Sequence, residues 1–523
     1  MFRESGLNTA SRSMNSLKNM GGGLLSQGLQ AGMGFVSRTV FINYLAIEYL
    51  GINGLYGSIL SLLSLAELGV GSAFMYSLYK PLANKEEAVI TGILRLYRKI
   101  YRIIGLAVFV LGLALIPFLD QIIPQKPESV TESLSLLYLF FLFNTASSYF
   151  FTHKVSLLNA DQRNYAVSLN YLVFYLLQSI TQIIVLITFK SFIGYLLTQL
   201  IFQLLSNLSI SRITDKYYPF LKTNRPSNVE SSIRKEIITN TKATFLIKVS
   251  GIAVNNTDNL FINYFAGLGL VGIMSNYLLI IGLSNSIITQ IFSNMSSSIA
   301  QLNIKESKAK QFSVFNVINF LNFWIYGFFV LCFVFLVNDF IVLWIGEDYV
   351  LNTSVIIMIG VNFFMVGMQS AIWTFKSTYG FFRYGKWLVI VTAIINLILS
   401  FILGNYLGLF GILLATAIAR IVTNFWYDPY IVLSLGMNQS PIVYLKKFGL
   451  YLTAIFISAI IIYPISSSLH FPPLLNIFIK IIVCIFIING VFYLIFKNKP
   501  EFKDNKNMAG NAIQQLKQHI WKI

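Results

Sequence analysis

The chain has 523 residues, 56% of them hydrophobic and 11% charged, with a mean hydropathy of +0.70 and a formal net charge of +18. A soluble globular chain carries about a quarter charged residues, so that class is excluded, and apolar runs long enough for spans of about 20 residues identify a polytopic helical membrane protein. The positive charge does not point to nucleic acid, because membrane proteins collect Lys and Arg in cytoplasmic loops.

The opening "MFRESGLNTASRSMNSLKNM" is polar and basic, with no A-x-A-like site behind it, so no cleavable signal peptide is expected. Hydrophobic runs then predict about fourteen transmembrane helices. They lie at 22–45, 51–77, 102–119, 134–155, 166–188, 192–212, 243–265, 270–300, 313–337, 351–373, 386–404, 409–433, 448–467 and 474–496. The connections near Gly267 and Gly408 are the tightest, with neither Pro nor charge to mark them. An even count places both termini on one side. With that side inside, the inner loops hold the basic clusters at 80–102, 212–242, 305–310 and 376–386, together with Lys446, Lys447 and the tail. The outer loops hold Glu48, Asp120, Glu128, Glu132, Asp339, Glu347 and Asp348. This bias predicts a multi-pass protein with both termini cytoplasmic.

Segment 80–102 carries Ile90, Ile93, Leu94 and Tyr97 at helical spacing, which predicts a helix lying on the cytoplasmic membrane surface. Segment 212–236 is the longest internal polar stretch and reads as a linker. "FINYLA" at 41–46 returns as "FINYFA" at 261–266, ending the first and seventh predicted helices. With one inserted residue, Gly51, Ile52 and Tyr56 align with Gly272, Ile273 and Tyr277. The pattern predicts two parallel six-helix repeats plus a C-terminal helix pair. The expected domains are a lobe at 1–212, a basic linker at 213–242, a second lobe at 243–435, and the terminal pair with its basic tail at 436–523.

Charges inside spans are costly, roughly 2.5–3.5 kcal/mol each on insertion scales. Here they are Arg38, Glu67, Lys248, Asp258, Arg420, Asp428 and Lys480. Arg420, Asn424 and Asp428 recur every four residues, which predicts one polar stripe; Lys248, Asn255 and Asn259 share a face of the seventh helix. Two readings stand: interhelical glue, or a hydrated cavity for a polar or anionic cargo. Taken together, Arg38, Lys248 and Arg420 favour the cavity, with Asn255 and Asn424 as further cargo contacts. Glu67, Asp258 and Asp428 are the candidate ion-coupling or gate residues. Arg38 and Asp258 stand three residues before the two copies of FINY and are expected at similar depth. No catalytic residue is assigned: His153, His470 and His519 are scattered, and no nucleophile elbow, nucleotide loop or metal-ligand spacing is present. No metal site, cofactor or enzymatic activity is expected.

"YLGINGLYGSILSLLSLAELGVGSAFMYSLYKPLA", Tyr49 to Ala83, with the following "LRLYRKIYR", resembles the second-helix region of bacterial polysaccharide-repeat (O-antigen and capsule) flippases. These belong to the multidrug/oligosaccharidyl-lipid/polysaccharide exporter superfamily. The resemblance implies a flippase of the bacterial cytoplasmic membrane that moves undecaprenyl-pyrophosphate-linked oligosaccharide repeat units to the outer leaflet. It implies a proton or sodium ion as coupling ion, membrane lipid around the cargo's tail, and a polysaccharide polymerase as a partner. Fourteen helices also resemble the lipid II flippase branch, in which the last two line a groove for the polyprenyl tail. Glu67, Asp258 and Asp428 depart from a strongly cationic lumen. The rivals are a drug or cation exporter of the same superfamily and a membrane-embedded polysaccharide polymerase or ligase.

Overall fold

A backbone crossing hydrocarbon must satisfy its own N–H and C=O groups, and these apolar runs do so as helices. The structure, a computed structural model, describes residues 26–67, 70–223, 231, 234–235, 237–239, 241, 256–293, 295–469 and 471–505. Every regular element among them is helical. Nine helices are long and apolar enough to cross a membrane, or ten if the bent pair Leu134–Ser148 and Thr152–Ala160 forms one span. The chain is therefore an all-helical polytopic membrane protein.

Two compact units divide after Gly272. The first holds α1 (26–44), α2 (Ile47–Leu63), α3 (Val70–Asn84), α4 (Glu87–Leu115), α5 (Leu134–Ser148), α6 (Thr152–Ala160), α7 (Asn164–Phe189) and α8 (Phe192–Tyr217). The division falls inside α9 (Asp258–Ser293). The second unit continues with α10 (Ser296–Lys305), α11 (Lys308–Ile345), α12 (Thr353–Thr378), α13 (Lys386–Val422), α14 (Asn424–Tyr430), α15 (Ile442–Ser468) and α16 (Pro473–Phe496).

Both tight connections are single glycines. Gly267 (φ 81°, ψ 171°) splits α9 into two arms, and Gly408 (φ 57°, ψ −138°) splits α13. Only glycine takes such backbone angles without a Cβ penalty. Each of the fourteen predicted runs meets a helix, the first from residue 26 and the seventh from residue 256.

Segment 80–102 departs from expectation. Its second part is the start of α4, 29 residues long and about 43 Å at 1.5 Å per residue. Ile93 and Tyr97 are fully buried, and Tyr97 stacks on Phe74 at 4.3 Å. The apolar face covers protein core rather than a membrane surface, because α3 and α6 offer matching apolar side chains such as Phe74 and Leu157.

The repeat positions meet in space. At Gly51 a Cβ would collide with the Leu268 carbonyl, and at Gly272 with the Ile47 carbonyl. The Gly51 nitrogen lies 3.2 Å from the place where a Cβ of residue 272 would stand. Two positions aligned by the predicted repeat thus lie at one backbone-to-backbone crossing within the first unit, between residues 47–51 and 268–272.

In the second unit, Phe323 stacks on Tyr451 at 4.1 Å and lies 4.8 Å from Phe492, so α15 and α16 share a core with α11. Trp324 donates to Asn489 at 2.9 Å. Lys480 pairs with Asp339 at 2.5 Å. Asp339 lies within α11 rather than in the predicted outer loop, and its carboxylate neutralises the intramembrane lysine of α16. Cys332 and Cys484 meet between the same helices as free thiols.

Candidate functional site

Besides the Lys480–Asp339 pair, three polar constellations among the described residues hold predicted site residues or lie beside them, two in the first unit and one in the second. On α7, Tyr171, Tyr175 and Gln178 follow one another at i, i+4 and i+7; on α8, Gln199, Gln203 and Ser206 do the same. That spacing puts each trio on one face. The faces meet around a cavity of 230 Å³. Beside it Asn170 donates to the Ser206 hydroxyl at 3.1 Å, and Gln178 donates to Gln182 at 3.4 Å. Helix α1 closes on the same helices: Tyr175 donates to the Gln30 carbonyl at 3.4 Å, and its oxygen lies 3.5 Å from a Cβ built at Gly34. Arg38, one turn beyond Gly34, is half-buried and feels the Tyr195 and Tyr175 hydroxyls. Amides and phenols both donate and accept, which suits hydroxyl-rich ligands. A guanidinium suits phosphate oxygens.

Glu67 occupies a second constellation. Helix α2 ends at Leu63 in a 3-10 turn, Ser64–Glu67, so the carboxylate sits at a break between α2 and α3. Tyr101 donates to it at 3.1 Å, and Tyr149 donates to Ser64 at 2.8 Å. The Tyr101 ring lies 4.7 Å from Tyr97, whose hydroxyl shares a 2.8 Å hydrogen bond with Ser156. Among the described residues no basic side chain forms an ion pair with Glu67. A carboxylate that accepts from a phenol can take up a proton or a cation.

The third constellation is a buried ion pair. Lys376, in the last turn of α12, meets Asp428 of α14 at 2.6 Å, with side chains 6% and 3% exposed. The ammonium also lies over the Trp373 ring at 5.2 Å. Sequence reading placed Lys376 in an inner loop; it is instead the partner of the span carboxylate. The predicted stripe of Arg420, Asn424 and Asp428 is interrupted. Thr423 (φ −116°, ψ −92°) ends α13, so Arg420 and Asn424 belong to different helices. Pro429 withholds an N–H from the Phe425 carbonyl, and the helix continues as a wide π turn, Ile431–Gly436. Such turns concentrate at functional sites.

The remaining candidates divide as follows. Arg420 is half-buried in the last turn of α13, where a cation complements the helix dipole. Asn424 is half-buried at the start of α14. Asp258 opens the described part of α9, an electrostatically favourable place for a carboxylate. Lys248 and Asn255 lie outside the described residues. Asn259 is interhelical glue, donating to Ser58 at 2.9 Å. Lys376 and the Gln/Tyr seam were missed as site residues. Their signals were a lysine three residues beyond the end of an apolar run, and amides repeating at i+4 within two such runs.

No family model matches the chain, and no curated protein matches it. Solved structures do. The lipid II flippase MurJ in an inward closed conformation superposes with TM-score 0.67 at 14% identity, over 91% of this chain and 98% of that one. An inward-facing multidrug resistance MATE family transporter of the MOP superfamily gives 0.59 at 16% identity, over 76% and 93%. A MOP superfamily transporter from Pyrococcus furiosus gives 0.52 at 13% identity, over 81% and 96%. The chain has the fold of MOP superfamily transporters, and the proteins it resembles are transporters rather than enzymes.

Proposed function

We propose that this protein is a flippase that carries polyprenyl-pyrophosphate-linked oligosaccharide repeat units, with undecaprenyl as the carrier, from the cytoplasmic to the outer leaflet by alternating access. The observation that carries the reading is the amide- and phenol-lined cavity between α7 and α8, with Arg38 beside it. Gln178, Gln199 and Gln203 would exchange hydrogen bonds with sugar hydroxyls, while Tyr171 and Tyr175 offer ring faces. Arg38 would take the pyrophosphate, replacing water the head group must shed in hydrocarbon. Arg420 and Asn424 of the second unit, and Lys248 and Asn255, are kept as cargo residues by their sequence alone. Glu67 would hold the coupling proton or sodium ion. The resemblance of Tyr49–Ala83 to polysaccharide-repeat flippases and the fold of a lipid II flippase support the reading. The basic bias of the predicted inner loops supports a cytoplasmic location for both termini, and the bacterial inner membrane follows from the resemblance to polysaccharide-repeat flippases.

The test is export of surface polysaccharide in a strain dependent on this chain. Arg38→Ala and the double variant Gln199→Ala/Gln203→Ala are expected to abolish or strongly reduce export at normal protein level. Arg38→Lys should rescue in part, because an ammonium lacks the planar fork. Normal export by both variants would remove the cavity as the cargo site. A cation exporter is the second reading, favoured by the phenol-ringed Glu67. It requires Glu67→Gln to abolish efflux of organic cations by a chain that leaves polysaccharide export untouched.

A further inference from the structure

A larger hollow lies elsewhere in the first unit, where α4, α5 and α8 converge. Its volume is 570 Å³, within the range of about 300–1,000 Å³ typical of ligand sites. One wall is a single stripe of α4: Arg98, Arg102, Leu106 and Phe109. Phe143 and Phe150 face it, and Leu204 of α8 closes the back. Gly105 sets the depth. A Cβ there would touch Tyr149 at 3.1 Å and the Ala146 carbonyl at 3.5 Å, so α4 and α5 are close-packed beside the hollow. Leu106, Phe143 and Phe150 are 62%, 48% and 45% exposed. The hollow therefore has an open, apolar mouth, which suits a hydrocarbon chain.

The two arginines give the groove polarity. Arg102 is the last charge before the uncharged run from Ile103 to Leu119, so it marks the edge of the hydrocarbon. Among the described residues neither Arg98 nor Arg102 has an ion pair or hydrogen-bond partner. Asp215, which like both arginines acts on His153, is held by Lys154 at 2.6 Å. Two uncompensated cations one helical turn apart, continuous with an aromatic slot, match a phosphate joined to a hydrocarbon chain.

We propose that this groove is a binding site for an anionic phospholipid of the surrounding leaflet, with its phosphate between Arg98 and Arg102 and one acyl chain along Leu106, Phe109 and Phe143. Basic pockets between membrane helices recognise such head groups, and each arginine adds about fivefold in affinity. The site lies on different residues from the α7–α8 cavity and does not depend on the cargo. It would tie α4, α5 and α8 together by filling space that protein leaves empty.

Native mass spectrometry of the detergent-purified full chain tests this, with dioleoylphosphatidylglycerol, dioleoylphosphatidylcholine, undecaprenyl phosphate and inorganic phosphate as separate probes. The chain should retain phosphatidylglycerol, and Arg98→Gln/Arg102→Gln should bind it roughly 30-fold more weakly. Arg95→Gln/Lys99→Gln removes two exposed charges of the same helix that do not line the groove and should bind like the parent. Leu106→Trp, at a position with room for bulk, should lose binding with both arginines kept. If the double arginine variant does not fold, Arg102→Lys against Arg102→Gln reads the charge alone, with only Arg102→Lys keeping affinity. Equal binding of phosphatidylcholine, equal loss in the Arg95/Lys99 control, or full competition by inorganic phosphate overturns the proposal. Undecaprenyl phosphate displacing phosphatidylglycerol at equimolar concentration also overturns it, because the groove then belongs to the carrier.

Discussion

Asp428→Ala is expected to lower the stability of the purified protein by about 3–5 kcal/mol, the cost of leaving one member of a buried ion pair unpaired. Lys376 and Asp428 are 2.6 Å apart and almost wholly buried, so water cannot solvate the survivor. Lys376→Ala should cost a similar amount. The double variant Lys376→Met/Asp428→Leu removes both charges and keeps the volume, so it should recover most of the loss. Thermal unfolding in detergent reads all three. Transport by the double variant then separates two roles. If the pair only ties α12 to α14, the double variant folds and transports. If the pair opens during the cycle, as a gate or coupling element must, the double variant folds and does not transport. The π turn after Pro429 gives α14 a weak point at which such an opening could occur. A double variant as unstable as either single one would show that the site needs its charges for shape.

The sequence made this pair only half legible. Asp428 stood out because a carboxylate in the middle of an apolar run has no inexpensive explanation. Lys376 did not, because a lysine near the end of a run reads as a loop charge under the positive-inside rule. The structure extends α12 through Thr378, which carries the lysine inside. Asp339 was misplaced for the same reason, its helix running on to Ile345. Periodicity gave the right face for Ile90, Ile93, Leu94 and Tyr97 but not what covers it, since lipid and protein present the same apolar surface to a helix. The four-residue spacing of Arg420, Asn424 and Asp428 assumed a continuous helix, and Thr423 breaks it. The Gln/Tyr cavity needed knowledge that α7 pairs with α8; each helix alone shows only three polar residues on one side. The breaks near Gly267 and Gly408 were readable only in outline: a run too long for one crossing needs a turn, but Gly267, Gly269 and Gly272 compete at the first and Gly404, Gly408 and Gly411 at the second.

Gly51→Ala should destabilise the protein by about 1–3 kcal/mol, the usual range for overpacking, although alanine is the better helix former. The added methyl would run into the Leu268 carbonyl, a backbone atom that cannot rotate aside. Gly272→Ala meets the Ile47 carbonyl in the same way. Gly57→Ala is the matched control. It lies in the same helix, nothing stands within 4 Å of its added carbon, and it should gain up to about 1 kcal/mol from propensity alone. Opposite signs for two identical changes six residues apart isolate the crossing from any general effect of α2. Thermal unfolding of the three variants reads the signs directly. If Gly51→Ala proves neutral, the helices separate readily there and the contact is not a fixed crossing. If both glycine variants unfold while Gly57→Ala is stabilised, the crossing at Gly51 and Gly272 is a fixed contact of the first unit.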